Sequence, residues 1–512
     1  MPRVTIPTLG QYGLVMDQAA QEIPDNAFSS IANVRFRDGM AERVSGHVQV
    51  FDTPSVTPYW IAPYGTATAR YWIHSGIANT YADDGTTRTD ITGSAFTGAV
   101  DDRFTGGAFN GLFIINNGID QPKYWDGNTA NNLATLTAWD SSWRVKFLRP
   151  FKNYLIYGSP TKSGTANPHT VGWSAAADPG TLPTTYDPAS TTTDAGDVPI
   201  GDTPDQIVDG LALGEVFLVY KEASIHRMEY VGGQFVFSVK RLPGNFGMLA
   251  RGCGAITPKG HLVLGNGDIF LCDGVNEPQS ILTGRMKRTF FTSELDSEYS
   301  TRSFVVSNPS RNEVWVCYPP VGETTCTRAL IWNWVDNTIG MRDLPSANYA
   351  ASGLLNYDVG MTFDDDDGTY DDAYGAYNQD DFAPNDHRLI FAASKIYLAD
   401  SSNYFDTTAI SMRLERTGLA FGDPDTFKTM KALTPRLIGP EGTEVSVQFG
   451  GSPSAEIATT WRDPVTYTIG QSSPKVYDFV SGRFLAYRIS SSSAQGVSLK
   501  SIDIEFEFTG KH

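Results

Sequence analysis

The sequence predicts an all-β protein: a β-propeller of about six blades, an N-terminal arm before it and a C-terminal antiparallel β-sandwich after it. Three observations lead to this prediction. Apolar and polar residues alternate with period two in short runs. Asp-Gly and Gly-Gly pairs separate the runs, and such pairs suit the tight turns of β-hairpins. The turns recur about every 40 to 60 residues, which is typical of propeller blades.

The clearest repeat unit lies at residues 311–345. Its first run, residues 313–318, alternates between the two faces of a strand, and a Pro-Pro-Val-Gly break follows. A second run at 329–335 and a third at 339–344 flank the turn Asp336-Asn337. We interpret this unit as a three-stranded antiparallel meander. A lone meander is marginally stable in water, so it must pack against similar units.

Looser copies of this unit surround it. They lie at residues 70–93, 111–137, 147–180, 215–242 and 261–284, with turns at Asp84-Gly85, Asp126-Gly127, Gly232-Gly233 and Asp273-Gly274. No WD or kelch signature accompanies them, so a string of unrelated hairpins or two stacked sandwiches stays an alternative. Residues 389–400 offer a further strand that would complete a blade with the arm, which leaves the blade number open.

These patterns divide the chain into four parts. We assign residues 1–53 to the N-terminal arm, 54–348 to the propeller, 349–427 to an acidic loop with return strands, and 428–512 to the C-terminal sandwich. In the last part, residues 497–508 alternate so that one face is apolar and the other polar, as in a sandwich strand. Only residues 25–36 and 284–295 have the pattern of a short helix.

Composition excludes several classes of protein. The chain has 512 residues and a formal net charge of −18, which argues against an ordinary DNA-binding module with its basic surface. The same charge suits plain solubility, or a wall that DNA slides past without sticking. No apolar run approaches the ~18 residues that span a bilayer, and the N-terminus lacks the apolar region of a secretory signal.

The four cysteines indicate assembly in a reducing compartment. Cys272 and Cys317 fall inside predicted strands, where a small buried side chain is the expected role. Cys317 and Cys326 flank a Pro-rich turn and are close enough in sequence to pair. Four cysteines in so long a chain do not form a disulfide framework.

We predict no catalytic, cofactor-binding or metal-ligating residues, and therefore no enzyme. The sequence contains no phosphate-binding loop, HExxH, GxSxG or CxxC motif, and its seven histidines are scattered. His226 falls in a strand, where a packed or hydrogen-bonded role is expected. Trp332 and Trp334 share a strand face, so they either stack a sugar if exposed or pack in the core. Propeller glycosidases are the enzyme alternative, although the sialidase S-x-D-x-G-x-x-W turn is absent.

The segment at residues 361–386 is strongly acidic. It holds nine aspartates and no basic residue, so a solvated surface loop is the simplest interpretation. A calcium loop between Asp364 and Asp381 is a second interpretation, but the run lacks the alternating ligand spacing and the closing Glu. The third interpretation is a repulsive lip that faces a DNA channel.

Both ends of the chain carry short motifs in a recognisable order. The arm contains Ile23-Pro24, Ala27-Phe28-Ser29, the run NVRFRDG at 33–39, and Gly46-His47; the C-terminal part contains SGRFLAYRI at 481–489, LKSIDIEFE at 499–507, and Gly510-Lys511. Together these resemble the nozzle or tail-hub proteins of short-tailed bacteriophages, also called tail tubular protein B or packaged-DNA stabilisation proteins.

The resemblance implies a structural virion protein in the phage tail, assembled in the host cytoplasm. Six copies would form a ring below the head-to-tail adaptor, carry tail fibres or spikes, and retain the genome until ejection. DNA would pass through the lumen without sequence-specific binding. We place the contacts between copies in the arm (residues 8–50) and the sandwich, and candidate gating loops at residues 158–169, 177–204 and 356–386. The alternatives are a carbohydrate-active propeller, lectin or glycosidase, on the host surface, and a non-viral scaffold that binds proteins.

Overall fold

A computed structural model describes residues 2–66, 69–233, 235–355, 387–470 and 473–510. In this part of the chain the fold is all-β, as the sequence predicts. Helical turns occupy few residues; within the described ranges they are α1 Lys287–Thr289, a π turn at Phe290–Glu294, and 3-10 turns at Ser300–Arg302 and Pro309–Arg311.

The N-terminal arm supplies five short strands. They are β1 Arg3–Ile6, β2 Ser30–Ala32, β3 Val34–Arg37, β4 Met40–Arg43 and β5 His47–Gln49. The helix predicted at residues 25–36 does not form, because β2 pairs with a strand near residue 414 and β3 pairs with β4. Long-range pairing overrides the local helical pattern there. The second predicted helix, at 284–295, does contain the helical turns α1 and Phe290–Glu294.

Seven sheets built on a four-strand antiparallel meander follow one another in the described chain. Sheet 1 consists of β6 Trp60–Gly65, β7 Arg70–Ser75, β8 Thr80–Asp83 and β9 Arg88–Asp90. Sheet 2 consists of β10 Thr105–Phe109, β11 Leu112–Asn116, β12 Lys123–Trp125 and β13 Ala134–Thr135. Sheet 3 consists of β14 Trp143–Phe151, β15 Tyr154–Lys162, β16 Thr165–Ala166, β17 Thr170–Trp173 and β18 Gly196–Pro199.

Sheets 4 to 6 repeat the arrangement. Sheet 4 consists of β19 Ile207–Leu213, β20 Val216–Lys221, β21 Ile225–Tyr230 and β22 Phe237–Arg241. Sheet 5 consists of β23 Gly254–Thr257, β24 Gly260–Leu264, β25 Ile269–Cys272 and β26 Gln279–Ser280. Sheet 6 consists of β27 Phe304–Asn308, β28 Glu313–Tyr318, β29 Cys326–Asn333 and β30 Thr338–Ala347.

Sheet 7 combines strands from two distant parts of the chain. Its strands are β31 Tyr349–Leu354, β32 His387–Ala392, β33 Ile396–Ala399 and the arm strand β5, joined by the short pair β34 Tyr404–Phe405 and β35 Thr408–Ala409. Strand β5 pairs antiparallel with β33, with Val48 opposite Leu398. The predicted propeller boundary at 348 and the count of about six blades are therefore corrected to seven sheets that extend to Ala399. The alternative left open in the sequence, that residues 389–400 complete a blade with the arm, describes sheet 7, since its strand β33 pairs with the arm strand β5.

The first strands of the sheets contact one another around a ring. Strand β6 contacts β10, β10 contacts β14, β14 contacts β19, β23 contacts β27, β27 contacts β31, and β31 contacts β6 again. Sheets 4 and 5 are joined by the amide of Gly252, which donates to Asp209 Oδ2 at 3.0 Å. The chain thus returns to its starting sheet, and the result is a propeller-like ring with the first strands around its axis.

Most repeat units in the sequence correspond to the second, third and fourth strands of a sheet, whereas the unit at 147–180 begins in β14, the first strand of sheet 3. The predicted turns join the third strand to the fourth, and their glycines have positive φ, for example 97° at Gly85 and 76° at Gly274. Some first strands, such as β10, were missed because they hold glycines in close contact with another part of the chain. A Cβ at Gly106 would lie 2.0 Å from the Ile114 carbonyl oxygen, which forbids any side chain and weakens the β pattern.

The remaining strands form a C-terminal sandwich. They are β36 Met412–Leu419, β37 Phe427–Ile438, β38 Glu444–Ser452, β39 Thr460–Trp461, β40 Val465–Thr468, β41 Val476–Gly482, β42 Phe484–Ser491 and β43 Ser498–Gly510. One layer has the order β4-β43-β37-β41 and the other β2-β36-β42-β38-β39. The sandwich thus begins at β36 rather than at the predicted residue 428, and it takes β2 and β4 from the arm.

Ring and sandwich share one sheet. Sheet 6 continues from β30 through β3, β4, β43 and β37 to β41, so that ten strands, with β1 paired to β43, form a single hydrogen-bonded unit. One hydrophobic core also spans both parts: it includes Leu262 of sheet 5, Trp332 of sheet 6 and Ile504 of the sandwich. The arm therefore joins ring and sandwich into one rigid body.

Candidate functional site

The ring has two different ends. The first strands all begin at one end, which we call the leading end, and the loops between second and third strands lie at the same end. The Asp-Gly turns lie at the opposite, trailing end. At the leading end, polar side chains from several sheets meet on the ring axis, and we call them the axial cluster: Arg103, Lys146, Arg149, Asp209, Arg251 and Tyr349.

Two arginines reach across the axis. Arg103, just before β10 in sheet 2, donates from Nη1 to the carbonyl of Asn348 at 2.9 Å and from Nη2 to the carbonyl of Arg302. These acceptors precede the first strands of sheets 7 and 6. The side chain of Arg103 therefore spans the ring.

Arg251 crosses from sheet 5 to sheets 2 and 3. Its Nη1 donates to the carbonyl of Lys146 at 2.8 Å and to the carbonyl of Asn117 at 3.3 Å. Gly118 makes room for it: φ there is +84°, and a Cβ would lie 2.9 Å from Nη1. With Arg103 and Arg251 in these positions, side chains fill the axis of the single chain.

Arg149 and Asp209 form the paired part of the axial cluster. Arg149 donates from Nε and Nη2 to the two carboxylate oxygens of Asp209 at 3.2 and 2.7 Å. This bidentate pair combines the attraction of opposite charges with two hydrogen bonds that fix the orientation of both groups. The carboxylate of Asp209 is fully buried. Burial lowers the pKa of Arg149, but attraction by Asp209 outweighs it, and the net shift is upward.

The other cations of the cluster are less well compensated. Burial lowers the pKa of Arg251 to about 10, and the cations of Arg103 and Arg149 contribute to the lowering. Burial, followed by repulsion from Arg251, also lowers the pKa of Lys146. Both shifts mean that the protein environment disfavours the positive charge on these two side chains.

A second polar cluster, the ionic junction, fixes the arm to the ring. It consists of Arg35 on β3, Glu313 on β28, Arg342 on β30 and Asp400 after β33, all buried. Arg35 Nη1 lies 3.4 Å from Glu313 Oε1 and 3.2 Å from Asp400 Oδ2, and Arg342 Nη1 lies 3.3 Å from Asp400 Oδ1. Asn308 donates to Asp400 as well, at 3.1 Å.

The ionic junction holds its charges without solvent. Burial raises the pKa of Asp400, but Arg35 and then Arg342 outweigh it, so the net shift is downward. Burial raises the pKa of Glu313 in spite of Arg35. Arg342 has its guanidinium 4.2 Å from the ring centre of Trp315, and its pKa falls to about 10 because of burial. The arrangement is a structural clamp with no free face for a ligand.

A third feature is an apolar edge on the sandwich. Strand β41 ends its layer, since it pairs with β37 on one side and, among the described strands, with none on the other. Tyr477 and Phe479 on this strand are each 63% exposed, whereas the flanking Val476 and Val480 are buried. The strand thus presents two aromatic rings and unpaired backbone groups to solvent.

A cavity of about 310 Å³ opens at the leading end beside the axial cluster. Its lining includes Arg103, Arg302, Tyr59, Thr57, Asn348 and Cys326. Arg302 is paired with Asp101 at 2.7 Å, and the Nη atoms of Arg103 bond to carbonyls. Apolar side chains such as Val100 and Ala347 complete the walls, so the cavity shows no set of polar groups that converge on a ligand.

The residues singled out in the sequence take mainly structural positions. Trp332 and Trp334 are both buried in the core, so neither offers a face to a sugar. His226 is buried on β21 and its Nε2 lies 3.0 Å from Asp202 Oδ1, which confirms the hydrogen-bonded role. All four cysteines are buried free thiols, so Cys317 and Cys326 do not form a disulfide here.

The predicted gating loops differ from one another. Residues 158–169 mostly continue sheet 3, as the end of β15 and as β16. The insertion at 177–204 folds back on the ring: Tyr186 is buried against Trp139, with ring centroids 4.7 Å apart. The gating loop 356–386 lies entirely outside the described residues, and with it the acidic segment 361–386 and the candidate calcium loop Asp364–Asp381.

Among the described residues, no group of three or more His, Cys, Asp or Glu side chains is arranged to hold a metal ion. No helix in this part of the chain is long and apolar enough to cross a membrane.

Sequence reasoning missed the axial cluster. A weak signal was present, since Arg103, Arg251 and Arg302 each stand two or three residues before the first strand of their sheet. That spacing becomes visible only after the first strands have been placed.

Comparisons with known proteins add little. No family model matches the chain, and no curated protein matches it. Among solved structures, the computationally designed Ika8 protein is 9% identical, with a TM-score of 0.37, over 76% of this chain and 99% of that one. The WD40 β-propeller domain of Doa1 is 12% identical, with a TM-score of 0.33, over 72% and 95%. Chaetomium thermophilum Raptor is 9% identical, with a TM-score of 0.38, over 70% and 29%. The description of this chain as all-β and propeller-like therefore depends on its own strand order and pairing.

Proposed function

We propose that the chain is a structural subunit of the nozzle ring of a short phage tail. In this role several copies, six by the family resemblance, form a conduit and gate for genome DNA. They attach to the head-to-tail adaptor and carry fibres or spikes. The observation that carries the proposal is the apolar edge of the sandwich, strand β41, because the sandwich is one of the two parts of the chain in which we expect contacts between copies.

An exposed strand edge needs a partner or a protecting device. Unpaired backbone groups and apolar side chains on an edge invite pairing with another chain. Proteins protect such edges with charges, proline or bulges. Strand β41 has one charge, Asp478, and a register shift in its pairing with β37, but its outer face still carries the exposed rings of Tyr477 and Phe479. A ring of identical copies needs head-to-tail contacts between two different surfaces, and an apolar edge is suited to one side of such a contact.

The side chains on the ring axis determine where DNA could pass. Arg103 and Arg251 span the centre of the single-chain ring, so a polymer has no path along that axis. A conduit would have to lie between copies. Six chains of net charge −18 would surround it with roughly −108 in total, which keeps phosphates from adhering to the wall.

The rigid joint between ring and sandwich also suits a nozzle. A subunit that transmits force from a fibre to a gate should not bend between its parts. Here the ten-stranded sheet and the ionic junction tie ring, arm and sandwich together. We assign no catalytic role to any residue.

The test is the mass of the purified full-length chain by native mass spectrometry, alone and mixed with the adaptor of the same virion. We expect six copies, either spontaneously or on the adaptor. The double variant Tyr477→Ser/Phe479→Ser should lose the assembly while keeping its fold by circular dichroism. Phe235→Ser, which removes another exposed aromatic ring on the ring domain (75% exposed), serves as the matched control.

A monomer under both conditions would overturn the nozzle proposal. The carbohydrate-active alternative would then be tested by binding of the same preparation to host-surface glycans. Assembly that persists in the double variant would leave the nozzle in place and move the contact away from β41.

A further inference from the structure

The hairpin that joins β21 to β22 ends in a group of exposed apolar side chains at the trailing end of sheet 4. We call this group the apolar tip; it consists of Tyr230, Val231 and Phe235, which are 49%, 54% and 75% exposed. Phe235 is the most exposed large apolar side chain in the described part of the chain. Single exposed apolar residues are common on soluble proteins, but three at one turn are typical of a binding surface.

This hairpin reaches further than its neighbour in sheet 5. The leading-end loops of the two sheets are in contact, since Asn266 Nδ2 donates to the carbonyl of Glu222 at 3.0 Å. From there the third strand of sheet 4, β21, runs for six residues, whereas β25 in sheet 5 has four. At ~3.3 Å per residue, the two extra residues carry the apolar tip roughly 7 Å beyond the turn at Asp273-Gly274. The tip is therefore convex.

The base of the tip is well packed. The amide of Val231 donates to the carbonyl of Val236 at 3.0 Å and closes the turn. The ring of Tyr230 lies 5.7 Å from that of Phe237 and 6.1 Å from that of Tyr154. Because its base is fixed, the tip loses little conformational entropy when it binds.

The charges beside the tip neutralise one another in pairs. Lys152, whose Nζ lies 5.9 Å from the centre of the Tyr230 ring, is paired with Glu215. On β21 itself, Arg227 is paired with Glu229. The tip is thus an apolar projection with balanced charges on a chain whose net charge is −18.

The size and shape of the tip favour a lipid surface over a protein. An aromatic side chain buries about 150–250 Å² when it is fully covered, so the exposed parts of the tip amount to roughly 300 Å². A stable protein–protein contact buries about 800 Å² on each partner. A convex apolar tip enters the acyl region of a bilayer without a matching pocket, and a half-exposed tyrosine at its base suits the headgroup boundary.

We propose that the apolar tip binds a lipid surface by inserting Val231 and Phe235 into the bilayer, with Tyr230 at the level of the headgroups. Because the charges beside the tip are paired and the chain is acidic, apolar burial drives this binding and anionic headgroups do not. Each single chain carries the tip, so the inference is independent of the nozzle proposal.

The experiment uses the full-length chain and phosphatidylcholine vesicles as the probe. A single myristoyl chain binds bilayers with a constant of only about 10⁴ M⁻¹, so a tip of this size requires lipid at millimolar concentration. The fraction of protein that sediments with the vesicles is measured against lipid concentration. We expect this fraction to rise with lipid, to withstand high salt, and to show no gain when phosphatidylglycerol replaces part of the phosphatidylcholine.

Variants at the tip separate insertion from adsorption. Val231→Ser/Phe235→Ser should lower the partition constant about tenfold or more, because both inserted side chains become polar. Phe235→Trp should keep or strengthen the binding, since tryptophan favours the bilayer interface. Two controls should bind as the wild type does: Val321→Ser, at an exposed valine of the leading end, and Lys240→Gln, which removes an exposed lysine on β22.

A fluorescent label gives a second measurement. All four native thiols are buried, so in Val231→Cys a thiol-reactive, environment-sensitive dye labels the tip alone. Its emission should shift to shorter wavelength when vesicles are added, whereas the same dye in Val321→Cys should not respond.

Three results would overturn the proposal: no binding to phosphatidylcholine at millimolar lipid, undiminished binding of Val231→Ser/Phe235→Ser, or an unchanged emission of the dye at the tip. Loss of an assembly in the double variant, seen by native mass spectrometry, would assign the tip to a contact between copies and would also contradict a lipid-binding site.

Discussion

Arg35 and Asp400 form a buried ion pair although 365 residues separate them in the sequence, with Nη1 and Oδ2 3.2 Å apart. Asp400 is shared, since Arg342 and Asn308 also bind its carboxylate. One carboxylate thus holds strands of the arm, sheet 6 and sheet 7 at a single point. The arm is therefore bound to the ring at the junction between sheets 6 and 7.

Asp400→Asn should be strongly destabilising. The substitution leaves two buried guanidinium groups, Arg35 and Arg342, without their main counter-ion, and removal of one partner from a buried pair costs about 3–5 kcal/mol. Urea unfolding followed by tryptophan fluorescence measures the loss. Arg462→Ala, which removes an exposed partner 3.6 Å from Asp478, should cost less than about 1 kcal/mol. Equal losses in the two variants would show that the ionic junction is not the fastening point.

The free energy of unfolding should fall between about pH 6.5 and pH 4. Burial lowers the pKa of His74 and of His47 to about 3, and that of His261 to about 4. In this window the unfolded chain binds protons at these histidines and the folded chain does not, so stability rises with pH. Each histidine contributes at most about 1.4 kcal/mol per pH unit.

His74→Phe tests this pH dependence. The ring of His74 is buried, stacks on Tyr81 at 5.4 Å, and among the described residues has no hydrogen-bond partner for either nitrogen. Phenylalanine should therefore be tolerated at pH 8, and the slope of unfolding free energy against pH should become shallower below pH 6.5. An unchanged slope would mean that His74 takes up its proton in the folded state.

Tyr186→Ala should release the insertion at 177–204. Tyr186 packs on Trp139, and Tyr157 donates its hydroxyl to the Tyr186 carbonyl at 3.3 Å. Loss of a large buried ring costs about 3–5 kcal/mol. Limited proteolysis with a protease of broad specificity should cut the insertion of the variant faster than that of the wild type, whereas Tyr12→Ala, at an exposed tyrosine, should not change the rate. If the insertion acts as a gate, this is the contact that must break.

The four thiols should be unreactive in the native protein. Burial raises the pKa of Cys253 and of Cys326 to about 12, and it raises the pKa of Cys272 and Cys317 as well. A thiol reagent should label none of them quickly at pH 8, and all four after unfolding in denaturant without reductant. Two labelled thiols after unfolding would indicate a Cys317–Cys326 disulfide.

The parts of the fold that the sequence reveals are the local ones. Hairpins with Asp-Gly turns were predicted because the turn chemistry and both strands lie within about 20 residues, as at Asp273-Gly274. The seventh sheet was left only as an open alternative, and the true start of the sandwich was missed. Their pairings, β5 with β33 and β2 with β36, join segments hundreds of residues apart and leave no local pattern.

The axial cluster was hidden for a different reason. Arg103 and Arg251 donate to backbone carbonyls, and every residue has a carbonyl, so their partners leave no trace in the sequence. The ionic junction does pair charged side chains, but Arg35 and Asp400 lie so far apart in the sequence that nothing singles out this pair among the 39 basic and 57 acidic residues of the chain. Only the fold brings them together.

The pairing of β5 with β33, and of β1 and β4 with β43, determines the order in which the protein can be completed on the ribosome. At about 5 to 20 residues per second, the roughly 350 residues between β5 and β33 take about 20 to 70 s to synthesise. During that time the arm strands β1, β2 and β5 have no partner strand, although β3 and β4 pair with each other, and the last partner, β43, leaves the ribosome only at the end of translation. The nascent chain thus carries unsatisfied strand edges for nearly its whole synthesis, and we expect its yield to depend on chaperones that shield the arm.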